Sequence, residues 1–363
     1  MSATVVVVGA ILFPACATQP PPTAPSQPPS TFVSVRIGFD DRQRPCNEGS
    51  KGPCHDAVVL SDPNTGQILK VIHDLPWDGM QVSGLALARD GRLWVSLGSG
   101  PACTSGVAGC GPRPYTCRSR VLELDLVRGT TKSILRGGDD ELIAAAEPSP
   151  TGRSVAYLHS GCATSYFNDS IRIEDLDTGR TESIAAALPR CHGLGPPHWT
   201  ADARHLVFTY SAASDGLYSG AAGTCSMPEP SVIETVDATR SQPKVTGSAV
   251  AADPDCEISD ARPMKSGYLA LESCGGQNFD GPLRILRFDA GLRITSRRSI
   301  GRCGSGEVSL DRAMQHALIT TYQYCGGLRT ADPITRVFVE KNGDPKLTFS
   351  VPGGDLNPSS IAW

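Results

Sequence analysis

From residue 82 onward, apolar positions gather into short runs, and tight polar turns set off each run. The clearest runs are residues 93–97, 155–158, 206–210, 268–271 and 317–322, rich in β-branched and aromatic side chains that fit a pleated, buried surface. The turns before them read Arg89-Asp90-Gly91-Arg92, Pro150-Thr151-Gly152-Arg153, Ala201-Asp202-Ala203-Arg204, Lys265-Ser266-Gly267 and Asp311-Arg312-Ala313. A second series appears as Asp62-Pro63-Asn64-Thr65-Gly66, Asp177-Thr178-Gly179, Asp289-Ala290-Gly291 and Asn342-Gly343, with weaker copies at Val127-Arg128-Gly129 and Asp237-Ala238-Thr239. Asp and Gly at those places supply hairpin geometry.

The repeating unit is therefore two strands around a first turn, a variable loop, two more strands around a second turn, and a return. Taking residues 90, 151, 202, 266 and 312 as equivalent, the steps are 61, 51, 64 and 46. A mean of about 55 residues fits six times into residues 31–363, a period in the range of propeller blades. Pro358-Ser359-Ser360-Ile361-Ala362-Trp363 reads as an inner strand that stops short, and Phe32-Val33-Ser34-Val35-Arg36-Ile37 as its missing partner. Pairing them builds one blade from both ends of the chain and removes two exposed sheet edges. The expected fold is all-β: a six-bladed β-propeller over residues 32–363, closed by its N- and C-terminal strands. A pair of β-sandwiches is the structural alternative.

The segment Pro148-Ser149-Pro150-Thr151-Gly152-Arg153-Ser154-Val155-Ala156-Tyr157, followed by Ile173-Glu174-Asp175-Leu176-Asp177-Thr178-Gly179, resembles the repeat of TolB-like propellers. The resemblance covers most of residues 31–363. It implies the fold and leaves function open, since that family includes scaffolds, binding proteins and enzyme-associated propellers.

Ahead of the repeats the first charge is Arg36. Residues 5–13 form an apolar run too short to span a bilayer and similar to the core of a secretory signal. Phe13-Pro14-Ala15-Cys16 resembles a bacterial lipobox, which makes residues 1–16 a signal peptide and Cys16 the lipidated residue; a plain signal peptide cut near Ala15 or Ala17 is the alternative. Residues 17–31 carry six prolines and read as an extended tether holding the propeller off a membrane.

Thirteen cysteines, with no C-x-x-C and no Cys/His ligand pairing, point to an oxidising compartment and to disulfides. All except Cys16 fall in loops on one face of the expected propeller. Separation suggests Cys162 with Cys191, Cys225 with Cys256, Cys274 with Cys303, and Cys46 with Cys54. The pairing of Cys103, Cys110, Cys117 and Cys325 stays open.

Catalytic patterns are sparse. There is no G-x-S-x-G and no H-E-x-x-H, and Ser241-Gln242-Pro243-Lys244 lies near an outer turn. His198 and His205 sit in or beside apolar strands as satisfied core residues, whereas His192 is a loop residue that can face a ligand. A net charge of −4 without clustered Lys and Arg excludes nucleic acid. The loops leading into the inner strands bring Asp139, Asp140, Glu141, Asp255, Glu257, Glu307 and Asp355 toward one mouth of the channel, where acid predominates. Such a mouth could hold a hard cation such as calcium or steer a cationic partner. These features together predict a monomeric, extracytoplasmic, membrane-anchored binding scaffold for an envelope protein, peptide or glycan, with no obligatory cofactor. The alternatives are a secreted protein and an envelope hydrolase or lyase using the acidic mouth.

Overall fold

Every regular element in the computed structural model is a β-strand, and the strands form six antiparallel sheets among the described residues. The structure describes residues 31–40, 42, 55–75, 80–99, 118–139, 141–161, 170–184, 192–212, 231–239, 243–250, 256–275, 281–323, 334–341, 344–352 and 356–363. Blade II comprises β4 (Gln81–Leu87), β5 (Leu93–Ser99), β6 (Arg118–Leu124) and β7 (Thr131–Arg136), counted from the channel outward. Blade III follows with β8 (Glu141–Pro148), β9 (Ser154–Gly161), β10 (Ser170–Asp175) and β11 (Thr181–Ser183). Blade V holds β17 (Cys256–Met264), β18 (Gly267–Cys274), β19 (Pro282–Phe288) and β20 (Ile294–Arg302), and blade VI holds β21 (Gly304–Leu310), β22 (His316–Gln323), β23 (Ile334–Lys341) and β24 (Asp344–Pro352).

Blade I is assembled from both ends of the chain, in the order β25 (Leu356–Ala362), β1 (Phe32–Phe39), β2 (His55–Ser61) and β3 (Ile68–Asp74). Val33 pairs with Ala362 and Ser34 with Ile361, so the expected closure is present. Blade IV departs from the pattern. Its inner edge is split into β12 (His192–Leu194) and β13 (His198–Trp199), both paired with β14 (His205–Ala212), while β15 (Val232–Asp237) and β16 (Lys244–Val250) complete the sheet. Pro196 and Pro197 lie in the gap, where neither can donate to the ladder.

The core is a ring, not a ball. Leu85, Leu93 and Val95 meet Val33 and Val58 between blades I and II, and Trp94 and Val121 meet Ile143 and Tyr157 between II and III. Equivalent clusters fill the seams from III to IV (Ile171 with Phe208), IV to V (Ile233 with Leu286), V to VI (Leu283 with Ile319) and VI to I (Leu318 with Trp363). Each fully buried side chain of this size contributes about 1.5–3 kcal/mol.

The innermost strands are sheet edges, and side chains of the preceding blade take up their free N–H groups. Ser96 Oγ accepts from Ala146 N (2.9 Å), and Ser309 Oγ accepts from Trp363 N (3.0 Å). All five first-series turns lie where the sequence puts them. The backbone they need is left-handed even without glycine: Ala203 has φ 58° and Met314 φ 53°, the conformation that Gly152 supplies in blade III at φ 71°.

Candidate binding site at the turn end of the channel

The first-series turns gather at one end of the channel, and the column of residues leading into them is charged in three consecutive blades. Glu147, His198 and Arg262 each lie four residues before the turn positions 151, 202 and 266. Strand register therefore brings together three side chains far apart in sequence.

His198 is buried, with Nδ1 2.7 Å from Glu147 Oε2 and Nε2 3.0 Å from Asp260 Oδ1. Arg262 donates from Nε to Asp260 Oδ2 (3.2 Å) and from Nη1 to Glu147 Oε2 (3.4 Å). The remaining carboxylate capacity straps neighbouring blades: Glu147 Oε1 accepts from Trp199 N (3.0 Å), and Asp260 Oδ2 from Val308 N (3.0 Å). One network thus joins blades III, IV, V and VI at their inner edges.

Burial and the Arg262 charge oppose protonation of His198, yet the carboxylates of Glu147 and Asp260 on either side raise its pKa above the ordinary histidine value. Burial likewise opposes ionisation of Glu147, and the charges of His198 and Arg262 outweigh it and lower the carboxyl. Asp260 is also lowered, against burial, by Arg262, His198 and the Val308 amide. With His198 protonated, two carboxylates face one imidazolium and one guanidinium and the buried charges cancel. Both ring nitrogens of His198 face carboxylate oxygens, so neither is turned toward the cavity to accept a substrate proton.

Beside this network lies a cavity of ≈ 90 Å³ to which every blade contributes, through Leu87, Pro148, Trp199, Arg262, Leu310 and Trp363 among others. Asp311 also lines it, with Oδ1 accepting from Gln315 N (2.8 Å) and His316 N (3.2 Å) and Oδ2 2.7 Å from His316 Nδ1. Ala88 and Pro148 line both this cavity and an adjoining cleft between blades II and III.

The described residues among the binding candidates singled out in the sequence lie elsewhere. Asp139 is exposed in a turn at the other end of the channel. Glu141 accepts from Gly138 N (3.2 Å), the largest cause of its lowered pKa, and lies 3.2 Å from His159 Nε2 and 3.3 Å from Arg172 Nη1. Glu257 and Glu307 are half-buried on β17 and β21. Asp140, Asp255 and Asp355 lie outside the described residues, as do the His192 side chain, Cys16, Cys46, Cys54, Cys162, Cys191 and Cys225. Two expected disulfides are corrected. Cys256 bridges Cys274, which excludes Cys225–Cys256 and Cys274–Cys303. The two residues are direct partners on adjacent strands β17 and β18, whereas separation along the chain had favoured loop-to-loop pairs.

Among the described residues, Cys256, Glu272 and Cys274 are the group whose ligand-type atoms lie close enough for a metal, within 4.8 Å of one another. Their chemistry does not suit one in this state. The sulfurs are bonded to each other, and Arg284 (3.0 Å) and Arg297 (3.4 Å) occupy the two oxygens of Glu272. Signals for the turn-end site were present in the sequence, since the column of Glu147, His198 and Arg262 follows once the repeat is aligned on its turns.

No protein-family model matches the sequence, and no curated protein matches it. Solved structures do resemble the fold. TolB from Acinetobacter baumannii has a TM-score of 0.54 at 13% identity, over 92% of this chain and 66% of that one. An oligogalacturonate lyase in complex with manganese gives 0.45 at 12%, over 88% and 73%, and prolyl oligopeptidase B from Galerina marginata gives 0.49 at 9%, over 91% and 42%. The molecule is a closed six-bladed β-propeller. Within that class its fold is TolB-like.

Proposed function

We propose that this protein is an extracytoplasmic binding module that grips a projecting group of a protein partner at the turn end of its channel. The observation that carries the reading is the cavity to which all six blades contribute, beside a charge network with its own partners. A site whose side chains are already held in place loses little entropy when it is filled. The clamped imidazolium of His198 favours holding over proton transfer. A volume of ≈ 90 Å³ is well below the ~300–1,000 Å³ of sites that enclose a small molecule, and suits the tip of something larger.

The Cys256–Cys274 disulfide supports an oxidising compartment. Lipidation at Cys16 and a tether over residues 17–31 complete the proposal, with the propeller held near a membrane as a monomer. Calcium at the acidic loop end stays a separate possibility of the same module, to be tested by titrating the ion into the chelated protein and following its melting temperature.

The deciding experiment cross-links partners in the native envelope to wild-type protein and to Ala88→Trp, which puts bulk on the cavity lining. Capture should be lost in Ala88→Trp and kept in Asp139→Asn at the opposite end. Capture indifferent to Ala88→Trp would sink the reading.

A further inference from the structure

We infer that the group seated in the turn-end cavity is a carboxylate carried by a polypeptide, an inference that rests on this cavity being the binding site. The lining acceptors are engaged within the fold. Both oxygens of Glu147 and both of Asp311 accept internal hydrogen bonds, as do those of Asp260 behind them.

Donors remain. Arg312 is exposed on the rim, makes no hydrogen bond or ion pair with a described residue, and adds its charge to the Arg92 hydrogen bond that chiefly depresses Asp90. Arg89 spends one Nη2 contact on Ala201 O (3.0 Å) and stands on the same rim. Trp363, 3% exposed, lines the cavity, and its indole Nε1 is buried without a hydrogen-bond partner. An unanswered buried N–H is unfavourable, so a small shift of the ring that opened this N–H to the cavity would be rewarded by an acceptor that a ligand brings. An acceptor-rich anion answers the indole and the rim arginines together, and a carboxylate suits the planar guanidinium best.

The walls favour a polypeptide over an acidic sugar. Leu87, Leu310, Pro263 and Met314 offer aliphatic surface for a flanking side chain. Trp199 and Trp363 are each 3% exposed, which leaves no open aromatic face against which a sugar ring would stack.

The test uses the whole protein and short fluorescent peptides of matched apolar composition in four sets: free α-carboxylate with no acidic side chain, amidated with one Glu, amidated with Gln, and amidated with Lys. A uronic-acid oligosaccharide forms a fifth arm. One of the two carboxylate sets should bind about tenfold more tightly than the Gln set, and which one does so identifies the source of the carboxylate. Arg312→Gln should remove most of that advantage, Arg312→Lys should restore part of it, and Trp363→Phe should weaken binding a few-fold while the protein stays folded by its melting curve. Equal binding of Gln or Lys peptides, lost in Ala88→Trp, overturns the carboxylate and leaves the site standing. Uronate binding with the same Arg312 dependence overturns the polypeptide. Binding by none of the sets, or binding indifferent to Ala88→Trp, overturns the inference; the site itself then stands or falls on the cross-linking result.

Discussion

At one end of the channel, tight turns join the strands, and Glu147, His198, Asp260 and Arg262 converge from separate blades with each carboxylate oxygen bonded. At the other end, long connections carry more acidic residues, yet Glu141 is engaged by His159 and Arg172 beside it, and Asp139 is exposed. Acid count along the chain therefore did not locate the convergent charges. What made Glu147, His198 and Arg262 converge was strand register: a ladder repeats the same slot at the same height in each blade, and Asp260 joins them from two residues before Arg262 on β17.

Breaking the ring should have the largest effect, because both ends depend on closure. Removing residues 357–363 deletes the inner strand of blade I with buried Ile361 and Trp363. Losing one buried Trp alone costs about 3–5 kcal/mol, so cooperative unfolding should disappear from thermal and urea melts. A truncated protein that melts like the wild type would mean that the terminal strands do not hold the ring.

A direct comparison of the two ends comes next. His198→Ala leaves Glu147 and Asp260 short of a counter-charge in a buried place and should cost about 3–5 kcal/mol in urea unfolding. Glu141→Ala, whose side chain is 37% exposed, should cost less than about 1 kcal/mol. Comparable losses would erase the distinction. The network also sets a pH window. The lowered pKa values of Glu147 and Asp260 give stability present above the ordinary carboxylate range and lost as pH falls through their folded values. The raised pKa of His198 gives stability fully present below about pH 6.5 and lost as pH rises through its folded value. The gap between wild type and His198→Ala should thus be widest in mildly acidic solution and narrow on either side.

The smallest effect belongs to Ala203, held at φ 58° in the first turn of blade IV. Glycine relieves the left-handed strain at the cost of chain entropy, and Ala203→Gly should raise stability by about 0.5 kcal/mol, read as a slight upward shift in melting temperature. A fall would show that the Ala203 methyl packs favourably at the turn end.

Much of this architecture was legible beforehand. Turn residues marked the blades, and the apolar runs at both termini announced the closure. The site was half legible: Glu147, His198 and Arg262 share a slot, but Asp260 falls outside it, two residues before Arg262 and just after a register shift in β17. The unanswered indole of Trp363 was invisible, since whether a tryptophan N–H finds a partner depends on the three-dimensional packing around it. Cys256 and Cys274 were misassigned for a related reason. Separation along the chain says little about which residues a ladder sets face to face.

The described chain enters the ring at the turn end of blade I, where Val33 lies opposite Ala362 and Phe32 packs in one cluster with Trp363. Whatever comes before residue 31 is therefore delivered to the rim of the cavity and not to the far side of the disc. On the tether proposed above, at ~3.1 Å per residue, residues 17–31 would reach roughly 45 Å. With the proposed anchor at its far end, such a tether would turn the cavity back toward the surface that holds it, and a partner would approach through the same narrow gap.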